Sequence, residues 1–121
     1  MDAEFIRDLF LDFGPVQIRR MFGGAGIYAD GIIFALVIRD QIYLKTDAGT
    51  VPAFEREGCG PFEYTTKNGK RTAMSYWRLP DRLYDDTEEL AQWARRALVV
   101  ARDKAAVKST AKSPKKRKKK C

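Results

Sequence analysis

A short segment near the N-terminus combines glycines with two adjacent arginines, Arg19 and Arg20. Glycines such as Gly23 and Gly24 can expose backbone N–H groups to a phosphate, and neighbouring arginines can neutralise its charge. A dinucleotide-binding loop, however, needs its glycines to lead from a strand into a helix, whereas these lead into another strand-like run. We therefore predict a tight connection between two strands, and keep a phosphate site on these four residues as the alternative.

Aromatic residues recur along the strand-like runs and raise a second possibility, the stacking of nucleic-acid bases. A sheet that packs against helices needs such residues in its core, so most of them are expected to be core residues. Tyr76 and Trp77 are adjacent and point to opposite faces, so only one of them belongs to any one surface. We keep Tyr76 as a candidate for a ligand or partner surface. The aromatic residues concerned are Tyr28, Phe34, Tyr43, Phe62, Tyr64, Tyr76 and Trp77.

Catalytic and metal-binding chemistry finds little support in the sequence. The chain contains no histidine, which is the commonest general base and a common zinc ligand. Its two cysteines, Cys59 and Cys121, form neither a disulfide framework nor a paired metal spacing. The acidic cluster from Asp85 to Glu89 is explained by a helix N-terminus, where negative charge is favourable. We predict a protein that is not an enzyme and that needs no metal or cofactor.

Positive charge is concentrated at the C-terminus. Residues 102–121 carry a net charge of +9, whereas residues 1–101 carry −2. Residues 108–121 offer no apolar surface to offset their ordering entropy, so we predict a disordered tail. Clustered positive charge releases counterions from a polyanion, which makes DNA the predicted partner, although RNA or an acidic membrane surface would attract the same charges. The residues expected to bind are Lys108, Lys112, Lys115, Lys116, Arg117, Lys118, Lys119 and Lys120.

Helical spacing of apolar residues marks the two ends of the predicted domain, residues 1–107. One helix is predicted to start at Asp2, whose side chain can cap it, and to continue towards Phe13. A longer helix begins at Asp86, which is followed three residues later by Glu89 in the pattern of a capping box. Both helices carry an apolar stripe, so we expect both to pack on a sheet.

The segment between these helices has the pattern of strands. Four short apolar or β-branched runs are followed by a short helix with Thr50 as its cap, and then by two more strands. Hairpin turns are predicted at Asp30-Gly31 and Asn68-Gly69, dipeptides that tolerate positive φ. The expected fold is an α+β two-layer sandwich, an antiparallel sheet of about five or six strands with helices in the order α-β(3–4)-α-β(2)-α, plus the tail.

An ordered set of short motifs carries a family resemblance. Its members are Arg20-Met21-Phe22-Gly23-Gly24 with Gly26 and Tyr28, Phe34-Ala35, Tyr43-Leu44-Lys45, Phe54 with Gly58, Pro61-Phe62 with Tyr64, Met74-Ser75-Tyr76, Leu79-Pro80, and Leu90 with Trp93 and Ala97. By these residues the body resembles the N-terminal domain of the TfoX/Sxy family of bacterial competence regulators. The resemblance implies the same two-layer fold and a non-enzymatic role as a transcriptional coactivator acting with the cyclic-AMP receptor protein. It also implies a helical C-terminal domain, in whose place this chain has its lysine-rich tail.

These observations favour a competence-related regulator whose body binds a protein partner in transcription while its tail binds DNA without sequence preference. The surface expected on the body comprises Arg19, Arg20, Gly23, Gly24 and Tyr76. We expect a bacterial cytoplasmic location, with association to the nucleoid and none to a membrane, because no apolar run approaches about twenty residues. Two alternatives remain: a nucleoid-associated protein that coats DNA, and a sensor of a small phosphate ligand.

Overall fold

The computed structural model describes residues 1–21 and 23–111, with residues 71, 72 and 105–111 described by their backbone alone. Its element order confirms the predicted α+β fold and adds one 3₁₀ helix before the last helix. Among the helices described, none combines the length and the apolarity needed to cross a membrane. The elements are α1 (Ala3–Leu9), β1 (Gln17–Met21), β2 (Gly24–Ala29), β3 (Ile32–Ile38), β4 (Gln41–Lys45), α2 (Val51–Arg56), β5 (Pro61–Thr65), β6 (Arg71–Arg78), the 3₁₀ helix (Asp81–Asp85) and α3 (Thr87–Ala111).

The six strands form one antiparallel sheet in the order β1-β2-β3-β4-β6-β5. The first four strands are a meander, in which each strand pairs with the next along the chain. After α2, the chain returns so that β6 pairs with β4 and leaves β5 at the edge. β5 and β6 form the second predicted hairpin, and Gly69 in its turn has a φ of 79°. The strands β1 and β5 are therefore the two edges of the sheet.

Two-residue turns close the hairpins on either side of β3. Asp30 and Gly31 have φ values of 53° and 76°, as predicted for a turn that follows the twist of the strands. Arg39 and Asp40 also have positive φ, 51° and 61°, although neither is glycine. Aspartate tolerates this left-handed conformation better than most residues. The Asp40 carboxylate also forms an ion pair with the N-terminal ammonium group of Met1.

A bulge in β3 interrupts the regular alternation of the strand. The β2 residues Ile27 and Tyr28 lie opposite Ala35 and Ile33, so that Phe34 is an extra residue on β3. Because of the bulge, the adjacent residues Phe34 and Ala35 both belong to the same buried core. A strictly alternating strand would have directed one of them to the opposite face.

The core fills the space between one face of the sheet and the helices. At the end of α1, Phe10 meets Phe34 edge-on, with ring centroids 5.8 Å apart. Phe54 of α2 meets Trp93 of α3 in the same manner at 4.9 Å. Removing these apolar surfaces from water is the main stabilising contribution to the fold. The buried members are Ile6, Leu9, Phe10, Val16, Ile27, Ala29, Phe34, Ala35, Val37, Ile42, Leu44, Phe54, Leu79, Leu83, Leu90, Ala94, Ala97, Leu98 and Ala101.

The caps predicted for the two outer helices are present in part. The Asp2 carboxylate accepts a hydrogen bond from the backbone N–H of Phe5 at 2.8 Å, which confirms the cap of α1. The Asp86 carboxylate accepts one from the backbone N–H of Glu89 at 3.1 Å. The reciprocal half of the predicted capping box is not observed, because the Glu89 side chain bonds to Arg82 and Trp93 instead.

The N-cap residue predicted for α2 is confirmed, but its side chain does not make the capping hydrogen bond. Thr50 occupies the N-cap position, but its side chain makes no capping hydrogen bond to the helix. Instead, its hydroxyl accepts from the backbone N–H of Asp47 at 3.1 Å. The Asp47 carboxylate accepts from the backbone N–H groups of Gly49 and Thr50, at 2.9 and 3.0 Å. Asp47 therefore organises the turn before α2, as aspartates commonly do in such turns.

At its first residue, β2 lies in close contact with the backbone of β3. A Cβ atom placed on Gly24 would lie 2.1 Å from the carbonyl oxygen of Val37, which belongs to the neighbouring strand β3. No side chain can occupy that space unless the two strands move apart.

We expect Gly24→Ala to lower the free energy of unfolding by about 1–3 kcal/mol, because the added methyl group forces the sheet apart. Urea unfolding followed by circular dichroism measures this change. Gly60→Ala is the matched control, since a Cβ there meets nothing within 4 Å. Equal stability of the two variants would contradict the close approach.

Candidate functional site

The sheet has a second face, and in the described part of the chain no helix packs against it. Register defines this face, because residues paired directly across two strands share a face. Leu44 pairs with Trp77 on the helix side, so Tyr43 and Lys45 point away from the helices together with their partners on β6. We call this surface the open face. Its members include Arg19, Tyr28, Leu36, Tyr43, Lys45, Phe62, Tyr64, Tyr76 and Arg78.

Two cations lie over tyrosine rings on the open face. The guanidinium carbon of Arg19 is 5.2 Å from the centre of the Tyr28 ring. The ammonium nitrogen of Lys45 is 4.8 Å from the centre of the Tyr76 ring and donates a hydrogen bond to the Ser75 hydroxyl at 2.7 Å. Both distances are in the range of cation–π attraction. The arrangement holds positive charge against aromatic surface at two places on one face.

A second aromatic group lies towards the β5 edge. The rings of Tyr43 and Phe62 are 5.2 Å apart in an edge-to-face arrangement. Tyr64 is two residues beyond Phe62 on the same strand, so it shares that face, and it is 44% exposed. The open face therefore presents a group of aromatic side chains that reaches from β4 to the edge of the sheet.

The expectation that most of the aromatic residues would be core residues was wrong. Of the seven, only Phe34 and Trp77 belong to the core or pack against it. The other five, Tyr28, Tyr43, Phe62, Tyr64 and Tyr76, lie on the open face. The prediction that Tyr76 and Trp77 point to opposite faces is confirmed, since Tyr76 pairs with Lys45 and Trp77 with Leu44.

The charge of the sheet differs from that of the whole body. The six strands contain five basic residues and one acidic residue, Glu63, whereas residues 1–101 together carry −2. Arg78 is compensated, because it donates to both carboxylate oxygens of Asp81 at 3.0 Å. In the part of the chain that the structure describes, Arg19 and Arg20 form no salt bridge. The strands are thus more basic than the domain as a whole, and Arg19, Lys45 and Arg78 are the basic residues that they place on the open face.

The Tyr76 hydroxyl remains protonated under ordinary conditions. Tyr76 is 7% exposed. Burial, with a smaller contribution from Tyr28, raises the pKa of its phenol above the usual range. The hydroxyl is therefore a hydrogen-bond donor and acceptor at neutral pH, and it carries no negative charge that would oppose an anionic partner.

The structure separates the five residues expected to form a surface on the body. Arg19 and Tyr76 lie on the open face, whereas Arg20 pairs with Ala25 and so points to the helix side. Gly23 has a φ of 77° and lies in the turn between β1 and β2, and Gly24 begins β2. The glycines thus lead from one strand to the next, which confirms the predicted tight connection.

The residues expected to bind nucleic acid lie almost entirely beyond the described residues. Only Lys108 falls within them, where the structure describes its backbone as part of α3. The others, Lys112, Lys115, Lys116, Arg117, Lys118, Lys119 and Lys120, lie outside the described residues. Their role remains a prediction from the sequence.

A second feature, an arginine held by two glutamates, joins three elements of the helix layer. Arg82 donates to both carboxylate oxygens of Glu57, at 3.0 and 2.8 Å, and to both of Glu89, at 2.9 and 2.7 Å. The indole N–H of Trp93 also donates to Glu89 at 3.1 Å. These bonds hold the pKa of Glu89 at about 2 and lower that of Glu57.

A cleft of about 290 Å³ lies beside this cluster and is lined in part by Arg56 and Arg96. The two glutamates neutralise Arg82. Through these hydrogen bonds the cluster links α2, the 3₁₀ helix and α3. It was not predicted, because Glu57 is 25 residues from Arg82 in the sequence and Glu89 was assigned to a capping box.

Cys59 provides no reactive centre. It is half-buried and packs against the core, and burial raises the pKa of its thiol, which disfavours the nucleophilic thiolate. Within the described residues, no group of three or more His, Cys, Asp or Glu side chains is placed to hold a metal ion.

The fold and the open face together define a class of protein: a two-layer α+β domain with helices on one face of the sheet and aromatic and basic side chains on the other. The family model of the TfoX N-terminal domain matches residues 8–101, which is most of the chain and nearly all of the core. The chain belongs to this family, as its motifs indicated. A comparison with curated proteins yields no match.

We expect Arg82→Gln to change how stability depends on pH. The ordinary pKa of a glutamate is 4.5, and Glu89 has about 2 in the folded state. The ionised carboxylate therefore stabilises the fold fully above about pH 5, and this stabilisation is lost as the pH falls towards about 2. The variant should be less stable than the native chain above about pH 5, with a difference that shrinks on acidification.

Urea midpoints measured across this pH range test the expectation. Arg78→Gln is the matched control, since its side chain is 47% exposed against 49% for Arg82, and Asp81 is its partner only three residues away. A single exposed pair of this kind contributes little. If the urea midpoints of Arg82→Gln and of the native chain depended on pH in the same way, stabilisation by the Arg82 cluster would be refuted.

Proposed function

We propose that this chain is a non-enzymatic regulatory protein of bacterial competence and transcription that associates with DNA. Its tail binds DNA phosphates, and the open face of the sheet is the binding surface of its body. Membership of the TfoX N-terminal domain family supports the regulatory assignment. The observation that carries the proposal is the open face itself, where Arg19 and Lys45 lie over tyrosine rings on the side away from the helices.

The charge distribution supports separate contributions of body and tail to binding. Residues 112–121 contain seven Lys or Arg residues and no acidic residue. Phosphates that such a segment neutralises release condensed counterions, which gives affinity without sequence preference. Body and tail can therefore contribute to binding separately.

The last helix extends beyond the core. Ala101 is the last residue of α3 within the core, and the helical backbone continues to Ala111. Ten further residues at 1.5 Å each extend α3 by about 15 Å beyond its last core contact.

We expect duplex DNA affinity to fall steeply with salt. If about six phosphates are engaged, log K should fall against log salt concentration with a slope of about −5. Replacing the seven Lys and Arg residues of 112–121 by Gln should remove most of this slope and most of the affinity at low salt. Fluorescence anisotropy with a labelled duplex measures both.

The matched control replaces the six lysines of the same segment by arginine, which preserves charge, and should bind with the slope of the native chain. Unchanged affinity and slope in the glutamine variant would remove the tail from the mechanism.

A further inference from the structure

We propose that the open face binds single-stranded nucleic acid, with bases against its aromatic side chains and phosphates beside Arg19 and Lys45. The inference rests on the proposed association with DNA and deepens it by giving the body its own ligand. It concerns described residues of the sheet, and no part of it depends on the tail.

The aromatic side chains are placed where unstacked bases can reach them. The Tyr43 and Phe62 rings meet at 5.2 Å, and Tyr64 continues the group to the edge of the sheet with 44% of its surface exposed. Proteins that bind single strands commonly stack bases on such rings, and sheets covered by helices on only one side are a frequent support for them. Stacking tolerates any base, because every base has an aromatic face.

The charges of the face favour a polyanion over an apolar protein surface. On this face, the cations of Arg19 and Lys45 lie over the rings of Tyr28 and Tyr76. The centre of a protein–protein interface is usually depleted of charge. An acidic peptide would leave the exposed rings without stacking partners.

A single strand fits this surface better than a duplex does. In a duplex the bases are stacked on one another, so a flat sheet can reach only the phosphates and the groove edges. Adjacent strands are about 4.8 Å apart, so the six strands span about 24 Å, enough width for several splayed nucleotides.

The test compares two probes on the full chain: an oligothymidylate of about 20 nucleotides and a duplex of the same length. Tyr64→Ala should lower affinity for the oligothymidylate about five-fold or more, within the range known for base–aromatic stacking, and leave duplex affinity unchanged. Tyr64→Phe keeps the ring and should bind as the native chain does. Arg19→Gln should weaken single-strand binding and reduce its salt slope by about 0.7.

Two control variants lie in the helix layer and are matched for exposure. Phe5→Ala removes an aromatic ring that is 47% exposed on α1, and Arg96→Gln removes an exposed arginine of α3. Both should leave both affinities unchanged. Circular dichroism and thermal unfolding show whether Tyr64→Ala is folded, and Tyr64→Leu, an apolar residue without a ring, repeats the test if it is not.

The outcomes separate this inference from the proposed function. Normal duplex binding with equal oligothymidylate affinities for Tyr64→Ala and Phe5→Ala would overturn the inference and leave the tail mechanism intact. The inference is supported if the variant with glutamines in place of the seven Lys and Arg residues of 112–121 loses duplex binding while its single-strand binding still depends on Tyr64. A Glu- and Asp-rich peptide that binds more tightly than the oligothymidylate, with the same dependence on Tyr64, would identify a protein ligand and overturn it.

Discussion

The apolar layer between the sheet and the helices is built on one face of the strands, and this packing determines which side chains lie on the opposite face. Phe34 reaches this layer through a bulge, packs edge-on against Phe10, and lets Ala35 remain on the same side. Because all the described helices contribute to this one layer, the opposite face is left to side chains that must meet solvent or a partner. Tyr28 and Tyr76 suit that position, because the cations of Arg19 and Lys45 lie over their rings.

The helix layer is held together by polar ties at its rim as well as by apolar packing. Arg82 joins α2 to α3 through two glutamates, and Asp86 caps α3 from the adjoining turn. These groups are exposed, so water and salt weaken each bond, and the network matters more for the relative positions of the helices than for total stability. Both glutamates beside the charged cleft accept hydrogen bonds from Arg82, so their carboxylates serve the contact between the helices.

The sequence predicted the elements and their order, but not the face on which each aromatic residue lies. In β3 every residue is apolar, so no alternation distinguishes the two faces. The bulge at Phe34 then shifts the phase of the strand, and only the register with β2 reveals it. Local competition explains why Thr50 occupies the N-cap of α2 without making the capping bond, since both Asp47 and Thr50 can organise the same turn. The Arg82 cluster depends on a contact between Arg82 and Glu57, which are 25 residues apart, and a local pattern does not contain such a contact.

The edge strand β1 has a consequence for assembly. An exposed strand edge is a template for pairing with another chain, and short length and charge are the usual protections. β1 has five residues, and two of them are the adjacent arginines Arg19 and Arg20, which point to opposite faces. If two copies paired along this edge, arginines would be brought together on both sides of the joined sheet. The residues that make the surface basic therefore also discourage the sheet from growing by edge-to-edge aggregation.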